Sequence, residues 1–173
     1  ELPVSADLEN GFGDDPQIVA ETVLLAAAVG LVGCTIEDAT RKEEVSLYPL
    51  TLAVERIQAA AEAARSLAFP FTLAARAHNL LFPPARLDET IERLQAYERA
   101  GADVLFAPGL PDVAAVSVVC SSISKPFNFM AGIPGKSFSV GELAAAGVRR
   151  ISLATSLYRA AMTALLEAAR QVK

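Results

Sequence analysis

Four carboxylates crowd into the segment SADLENGFGDD, residues 5–15: Asp7, Glu9, Asp14 and Asp15. They follow LPV, whose composition is typical of the end of a buried strand. Because a proline comes directly after Asp15, we interpret Asp14 and Asp15 as residues that cap a helix. Asp7 and Glu9 lie closer to the strand end, where they fit either a polar turn or half of a metal site. Residue types alone leave both interpretations open.

Polar side chains also follow three later apolar runs, VGCTI, FTLAA and KPF. If these runs are parallel strands of a barrel, the residues at their carboxyl ends converge on one face. Carboxylates that face one another there repel strongly unless a cation lies among them. Oxygen ligands without a second histidine or an available thiol indicate Mg²⁺ or Mn²⁺. The side chains concerned are Glu37, Asp38, Arg76, His78, Asn79 and Asn128.

One pattern recurs along the chain: an alanine-rich helical stretch, a glycine, and a short β-branched or aromatic run, as in LQAYERAG-ADVLFA-PG. Glycine is expected just past a helix end, and the run after it is too short for a helix. The pattern occurs three times, and filling the gaps between its instances predicts six strands, each followed by a helix. The strands are expected at Pro3–Ala6, Val32–Ile36, Phe71–Ala75, Asp103–Ala107, Phe127–Met130 and Arg150–Leu153, and the helices at 16–29, 49–66, 87–100, 112–122, 139–146 and 156–172.

Strict alternation of strands and helices predicts an α/β fold with a parallel sheet. No strand is followed by G-x-G-x-x-G, and polar residues follow nearly every strand, so a (β/α)8 TIM barrel is favoured over an open doubly wound sheet. Six βα units fit into the 173 residues, fewer than the eight of a complete barrel. We therefore expect one partial-barrel domain over 1–173 that holds units three to eight and lacks the first two.

The charge and the amino-acid composition of the chain argue against several classes of protein. The net charge is −5, and the chain has no basic stripe of the kind that nucleic-acid binding requires. No apolar run reaches the ~20 residues of a membrane span, and no basic leader opens the sequence. The isolated Cys34 and Cys120 are interpreted as small buried hydrophobes. These features predict a cytoplasmic protein that binds neither nucleic acid nor membrane.

Two motifs carry a family resemblance. PVSADLENGFGDDP, followed by a helix and then by VGCTIEDAT, resembles the isocitrate lyase / phosphoenolpyruvate mutase superfamily, especially its shorter bacterial phosphonomutase-like members. ARAHNLL, RLQAYERAGADVLFAPGL, KPFNFMAG and SVGELAAAGVRRISLATSLYRAA are also similar, so the resemblance covers essentially the whole chain. It implies an eight-stranded barrel, Mg²⁺, and a substrate built on an α-keto acid, transformed through an enolate whose oxygens the metal holds.

The resemblance also implies roles for individual residues. Asp7, Glu9 and Glu37 would form the metal shell, with Asp7 closest to the ion. Arg76 would contact the anionic end of the substrate, for which a guanidinium fork suits a carboxylate or phosphonate. The implied activity is that of a lyase or mutase, with C–C cleavage favoured over P–C rearrangement. Implied partners are a small carboxylate or phosphonate and further copies of the chain, as a dimer or tetramer. The candidate catalytic residues are Arg76, Glu37 and His78, and the candidate substrate-binding residues are Arg76 and Asn128.

The chain departs from the superfamily pattern in three places. The loop after Glu37 reads EDATRKEEVSLYPL and lacks the cysteine motif of lyases acting on isocitrate or methylisocitrate, so those activities are not expected. His78 stands where relatives usually have Glu or Asp. The family's early segment, with its Ser-Gly clamp for the substrate carboxylate, is not found in this sequence. A catalytically degenerate member that binds a keto acid or a partner is therefore the alternative.

Two lysine-containing segments offer further readings. A Schiff-base aldolase-type barrel would need a lysine near a strand end, and Lys125 and Lys136 are the candidates. GIPGKS, residues 132–137, lacks the first glycine of the phosphate-loop pattern because Met130 stands there. We interpret this segment as a loop that enters a short helix, with loose anion binding as the alternative.

Overall fold

One parallel sheet organises the chain. The structure is a computed structural model, and it describes residues 2–40 and 46–172. Within these residues, six strands pair in sequence order, each parallel to the next. The strands are β1 (Ser5–Asp7), β2 (Gly33–Glu37), β3 (Thr72–Arg76), β4 (Val104–Phe106), β5 (Phe127–Met130) and β6 (Arg150–Ser152). The helices are α1 (Pro16–Ala28), α2 (Leu50–Arg65), α3 (Leu87–Ala100), α4 (Val113–Ser121), α5 (Val140–Ala145) and α6 (Ser156–Gln171).

The strand order confirms the barrel prediction. A doubly wound sheet reverses its strand order at a switch point, whereas here every strand lies beside its sequence neighbour. The six strands form a curled half-barrel, which agrees with a partial TIM barrel of about six βα units. Predicted and observed elements differ by one or two residues at their ends. A short 3₁₀ helix at Asn79–Leu81 was not predicted.

The two faces of the sheet differ in polarity because strand side chains alternate. The convex face carries Cys34, Ile36, Leu73, Leu105 and Phe127, all buried in the main hydrophobic core. The concave face instead carries polar and charged residues near the carboxyl ends of the strands. Its members include Thr35, Glu37, Arg76, Asn128 and Ser152.

Helix starts follow the sequence signals with one correction. The Asp15 carboxylate accepts a hydrogen bond from the Gln17 N–H at 2.8 Å, so Asp15 caps α1 as predicted. The prediction that Asp14 is also a capping residue is wrong. Its carboxylate accepts a hydrogen bond from the Tyr48 hydroxyl at 2.6 Å, because the β1–α1 loop packs against the segment that leads into α2.

Arg56 of α2 anchors the β1–α1 loop through hydrogen bonds. Its side chain is 1% exposed, and its guanidinium donates to the carbonyl oxygens of Asn10, of Gly13 at 2.5 Å and of Asp14 at 2.6 Å. The same guanidinium lies 4.2 Å from the centre of the Tyr48 ring. A buried cation thus satisfies three carbonyl groups of the loop that follows Asp7.

Further sequence-based expectations concern membrane-spanning helices and the two cysteines. None of the described helices combines the length and apolar character needed to cross a membrane. Cys34 is buried as predicted, and burial raises the pKa of its thiol to about 12. Cys120 is only partly buried, so it is not the core residue that its apolar surroundings suggested.

Replacing Arg56 by methionine should destabilise the fold. Arg56→Met leaves three carbonyl groups of the β1–α1 loop without this buried donor, which predicts a loss of about 2–4 kcal/mol in the free energy of unfolding. The matched control is Arg65→Met in the same helix, because Arg65 makes one exposed hydrogen bond, 3.2 Å to the Gly101 carbonyl. Chemical denaturation measures both variants, and equal losses would contradict the assignment.

Candidate active site

The carboxyl ends of the first three strands bring opposite charges together. Asp7, Glu37 and Arg76 are the last residues of β1, β2 and β3. Arg76 Nη1 lies 3.4 Å from Asp7 Oδ2 and 3.2 Å from Glu37 Oε2. Asp7 remains 56% exposed, whereas the side chains of Glu37 and Arg76 are each 12% exposed. The charged residues predicted at the strand ends therefore meet at this edge of the sheet, which we call the mouth, and the Arg76 guanidinium lies between the Asp7 and Glu37 carboxylates.

His78 joins this cluster from the segment just past β3. Its Nδ1 lies 3.2 Å from Glu37 Oε2, and its Nε2 lies 3.5 Å from Arg76 Nη2. The contact of Nδ1 with Glu37 is close in distance but has no hydrogen-bond geometry, so its attraction depends on the charge of the imidazole. The ring packs at 5.6 Å, tilted, against Phe82. His78 thus touches both Glu37 and Arg76.

The backbone of Glu9 connects Asp7 with Glu37. Its N–H donates to Asp7 Oδ1 at 3.0 Å, and its carbonyl accepts from the Glu37 N–H at 2.8 Å. Its φ of 53° is in the left-handed region, so the chain turns sharply here. Within residues 2–40 and 46–172, no group of three or more His, Cys, Asp or Glu side chains could hold a metal ion. Metal binding by Asp7, Glu9 and Glu37 therefore stays a prediction.

Asn128 lies in the same row of the concave face. The strand register places Glu37, Arg76, Phe106 and Asn128 side by side. The Arg76 guanidinium carbon lies 5.0 Å from the centre of the Phe106 ring, a cation–π contact. Asn128 is 1% exposed, and its amide nitrogen is 3.1 Å from Ser152 Oγ. An aromatic ring therefore separates the charged part of the row from a neutral amide.

Three polar atoms at this edge of the sheet have no hydrogen bond within the protein. They are Arg76 Nε, His78 Nδ1 and Asn128 Oδ1, and in the described part of the chain they are the buried side-chain nitrogens and oxygens without a hydrogen bond. Buried polar groups are normally paired, so each unpaired one needs an explanation. All three belong to residues that the sequence singled out as candidates for the site.

Asp38, next to Glu37, is buried and does not face the mouth. Its carboxylate accepts hydrogen bonds from the His78 N–H at 2.7 Å and from the Tyr97 hydroxyl at 2.5 Å. Burial raises the pKa of Asp38, while these hydrogen bonds and Arg93 act in the opposite direction. Asp38 therefore fixes the segment that carries His78 and is not one of the side chains that face the mouth.

Sequence reasoning missed Phe106 and Ser152. Phe106 is the last residue of β4, and Ser152 is the last residue of β6, so both occupy the position that drew attention to Glu37 and Arg76. Neither has an ionisable side chain, and they were overlooked for that reason. Their position at the end of a strand was the signal that could have identified them.

The two lysine candidates are placed differently. Lys125 precedes β5 and so lies at the amino end of the sheet, opposite the mouth, which is a correction to its assignment near a catalytic strand end. Lys136 lies after β5, and its ammonium donates to the Gly109 carbonyl at 3.0 Å.

The GIPGKS loop folds on itself. Its Gly132 N–H donates to Ser137 Oγ at 3.0 Å, and its Lys136 N–H donates to the Ile133 carbonyl at 3.0 Å. The loop then enters α5 through the capping box of Ser139 and Glu142. Its contacts fit a structured connection into a short helix.

Comparisons with known proteins agree with the family and the fold expected from the sequence. A family model described as phosphoenolpyruvate phosphomutase matches residues 1–173. A crystal structure from Burkholderia cenocepacia J2315, provisionally assigned as a lyase/mutase, is 52% identical with a TM-score of 0.94, and the match covers 98% of this chain and 61% of that one. Phosphonopyruvate hydrolase in a complex with oxalate and Mg²⁺ is 25% identical with a TM-score of 0.83, covering 99% and 60%. Oxaloacetate decarboxylase of Marinomonas sp. (strain MWYL1) is 29% identical over 175 residues, covering 98% and 59%. The chain thus spans about three fifths of the length of these relatives.

Removing the guanidinium from the cluster should destabilise the protein. Arg76→Met removes the guanidinium that lies between the largely buried Glu37 carboxylate and Asp7, which predicts a loss of about 1–3 kcal/mol in unfolding free energy at low salt. The control is Arg86→Met, because Arg86 pairs with Asp88 on the surface, where both side chains are more than 60% exposed. An exposed pair of this kind contributes little to stability, because water screens its charges. Urea titrations that gave the same loss for both variants would contradict the electrostatic role of Arg76.

Proposed function

Because this chain belongs to the phosphoenolpyruvate phosphomutase family, within the isocitrate lyase / phosphoenolpyruvate mutase superfamily, we propose that it carries the active site of a Mg²⁺-dependent lyase or mutase. The substrate is a small molecule derived from an α-keto acid, and C–C cleavage is favoured over P–C rearrangement. The observation that carries the proposal is the set of unpartnered polar atoms on Arg76, His78 and Asn128. A ligand at the mouth would supply the missing partners.

Arg76 is the residue that binds the anionic end of the substrate. Its Nε has no partner in the protein, and its Nη1 is shared between two carboxylates, so the guanidinium can still donate to a carboxylate or phosphonate oxygen. Phe106 supports its planar group from one side. In the reaction, Arg76 would also stabilise negative charge that develops on the substrate.

Asn128 binds a different part of the substrate. Strand β4 lies between the strands that carry Arg76 and Asn128, and the register places the Phe106 ring between these two residues. The amide nitrogen of Asn128 faces Ser152 Oγ, and its amide oxygen has no hydrogen bond within the protein. This oxygen is therefore an acceptor that the concave face offers to a substrate. The site therefore offers a cationic group and a neutral polar group on either side of an apolar ring, which suits a small keto acid with one anionic end.

The donor set at the mouth fits a magnesium ion. Mg²⁺ is usually held by one or two carboxylates and several waters, and the exposed Asp7 carboxylate leaves room for such waters. Asp7 would hold the ion directly, with Glu37 and Glu9 acting through water. When bound, Mg²⁺ supplies Lewis-acid stabilisation of negative charge on substrate oxygens. The structure of phosphonopyruvate hydrolase is a complex with oxalate and Mg²⁺, which supports the choice of metal.

Glu37 and His78 are the candidates for holding or moving a proton. Glu37 Oε2 contacts both Arg76 and His78, so this carboxylate orients the two side chains beside the substrate. With Nδ1 protonated toward Glu37, His78 would present the Nε2 lone pair to Arg76. The imidazole would then act by fixing Arg76 as well as by exchanging a proton.

A catalytically degenerate relative is the second candidate function. The observation in its favour is that the Arg76 guanidinium already neutralises both Asp7 and Glu37, as a metal ion would. Such a protein would bind a keto acid through Arg76 and Asn128 without turning it over. Metal-dependent release of pyruvate from any substrate would rule it out.

Binding of the metal should depend on Asp7. In calorimetric titrations with Mg²⁺ and oxalate, Asp7→Asn should weaken binding by about tenfold or more, because it removes the most exposed charged ligand. Asp15→Asn is the matched control: it makes the same change in the same loop, and asparagine remains a good helix cap. Absence of binding by the full-length wild-type protein would contradict the proposal.

Turnover should separate the candidates. Oxaloacetate, 2-methylmalate-like acids and phosphonopyruvate form the screen, and release of pyruvate in the presence of Mg²⁺ is measured with and without chelator. We expect activity with at least one C–C substrate that is lost with chelator. Binding of oxalate without any turnover would instead favour the degenerate relative.

A further inference from the structure

A buried carboxylate behind the mouth ties together the strands that carry the candidate site. Asp38 follows β2 directly, and its own side chain is 2% exposed. Its N–H donates to the Arg76 carbonyl at 3.2 Å, and its Oδ1 accepts the His78 N–H at 2.7 Å. Asp38 therefore holds both ends of the segment that runs from Arg76 to His78.

Helix α3 supplies the groups that keep this carboxylate in place. Arg93 Nη1 lies 3.2 Å from Asp38 Oδ2, and the Tyr97 hydroxyl donates to the same oxygen at 2.5 Å. Residues four positions apart lie on the same face of a helix, so both groups come from one side. Tyr97 is fully buried, and Arg93 is 7% exposed. An outer-ring helix thus reaches the carboxyl edge of the sheet.

The same face of α3 makes a second connection one turn earlier. The Thr90 hydroxyl donates to Asn79 Oδ1 at 3.0 Å, and the Asn79 amide donates to the Arg86 carbonyl at 2.9 Å. Asn79 opens the 3₁₀ turn directly after His78. The backbone on both sides of the His78 ring is therefore fixed to α3, either directly or through Asp38.

We propose that Asp38, supported by Arg93 and Tyr97, is a positioning residue that sets where the His78 ring lies relative to Glu37 and Arg76. Its carboxylate does not touch the mouth. It acts by holding the backbone of His78. Glu37, whose carboxylate contacts the His78 ring, is the residue directly before Asp38. The relevance of this device to catalysis rests on the proposed function, but the geometric claim does not.

The imidazole itself reports on the claim, because His78 is the single histidine of the chain. In tag-free, histidine-labelled full chain, the NMR signals of one ring can be followed without ambiguity. Asp38→Asn removes the charge that pairs with Arg93, and Tyr97→Phe removes only the hydroxyl. Both variants should move the ring signals of His78 by more than a line width while the far-UV circular dichroism spectrum is retained.

Tyr48→Phe is the matched control. It also removes a buried hydroxyl that donates to a carboxylate, here Asp14 at 2.6 Å, so it should lower stability to a similar degree. The Tyr48 backbone contacts the same network, with its N–H 2.9 Å from the Asp38 carbonyl oxygen and its carbonyl oxygen 3.2 Å from Arg93 Nη1. The variant keeps these backbone groups and loses only the hydroxyl that faces Asp14, so the His78 signals should stay at their wild-type positions. Unchanged His78 signals in both Asp38→Asn and Tyr97→Phe would overturn the proposal, as would an equal shift in Tyr48→Phe. If Asp38→Asn does not fold, the comparison of Tyr97→Phe with Tyr48→Phe decides the matter.

Binding of Mg²⁺ and oxalate tests the functional consequence separately. Displacing a positioning group behind a ligand-binding side chain is expected to weaken binding by about tenfold, so Tyr97→Phe should bind oxalate about tenfold more weakly than Tyr48→Phe does. If wild-type protein binds no oxalate, the proposed function fails, and the NMR comparison still decides the role of Asp38. If wild-type protein binds and Tyr97→Phe binds equally well, the role of Asp38 in ligand binding is overturned.

Discussion

The shared contact of one guanidinium with two carboxylates is the interaction on which the rest of this mouth depends. Arg76 lies between Asp7 and Glu37, which come from different strands and would otherwise repel. Three consecutive strands can therefore end in charged residues at one edge of the sheet. The same cation approaches His78 and the Phe106 ring, so it links the acidic part of the mouth to its apolar part.

Two sets of hydrogen bonds from buried residues support this charge cluster. On one side, Arg56 satisfies the carbonyl groups of the loop after Asp7. On the other, α3 holds the segment after Arg76 through the buried Asp38. Both supports use buried, fully engaged polar groups, whereas the groups at the mouth itself keep unpaired atoms. This division is typical of a site whose remaining partners come from a ligand.

Much of this arrangement could be predicted from local sequence. Glycine follows three of the helices, at Gly30, Gly101 and Gly147, and together with the short apolar runs it located the strands. The charged residues at the ends of two of these runs located Glu37 and Arg76. The partners of Asp38 could not be found in this way, because they lie 55 and 59 residues later in the chain and depend on how α3 packs. Nor could spacing indicate that Arg76 would stand between the carboxylates. The loop between Thr40 and Ser46, where the sequence departs from the isocitrate-specific pattern, lies outside the described residues.

The central claim is that the unpaired atoms at the mouth bind one small anionic ligand together with a metal ion. A crystal structure of the full-length protein with Mg²⁺ and oxalate tests it most directly. The account predicts an ion beside Asp7 and an oxalate oxygen within hydrogen-bonding distance of the Arg76 guanidinium. Oxalate bound elsewhere, with Arg76 still paired to both carboxylates and no ion at Asp7, would contradict it.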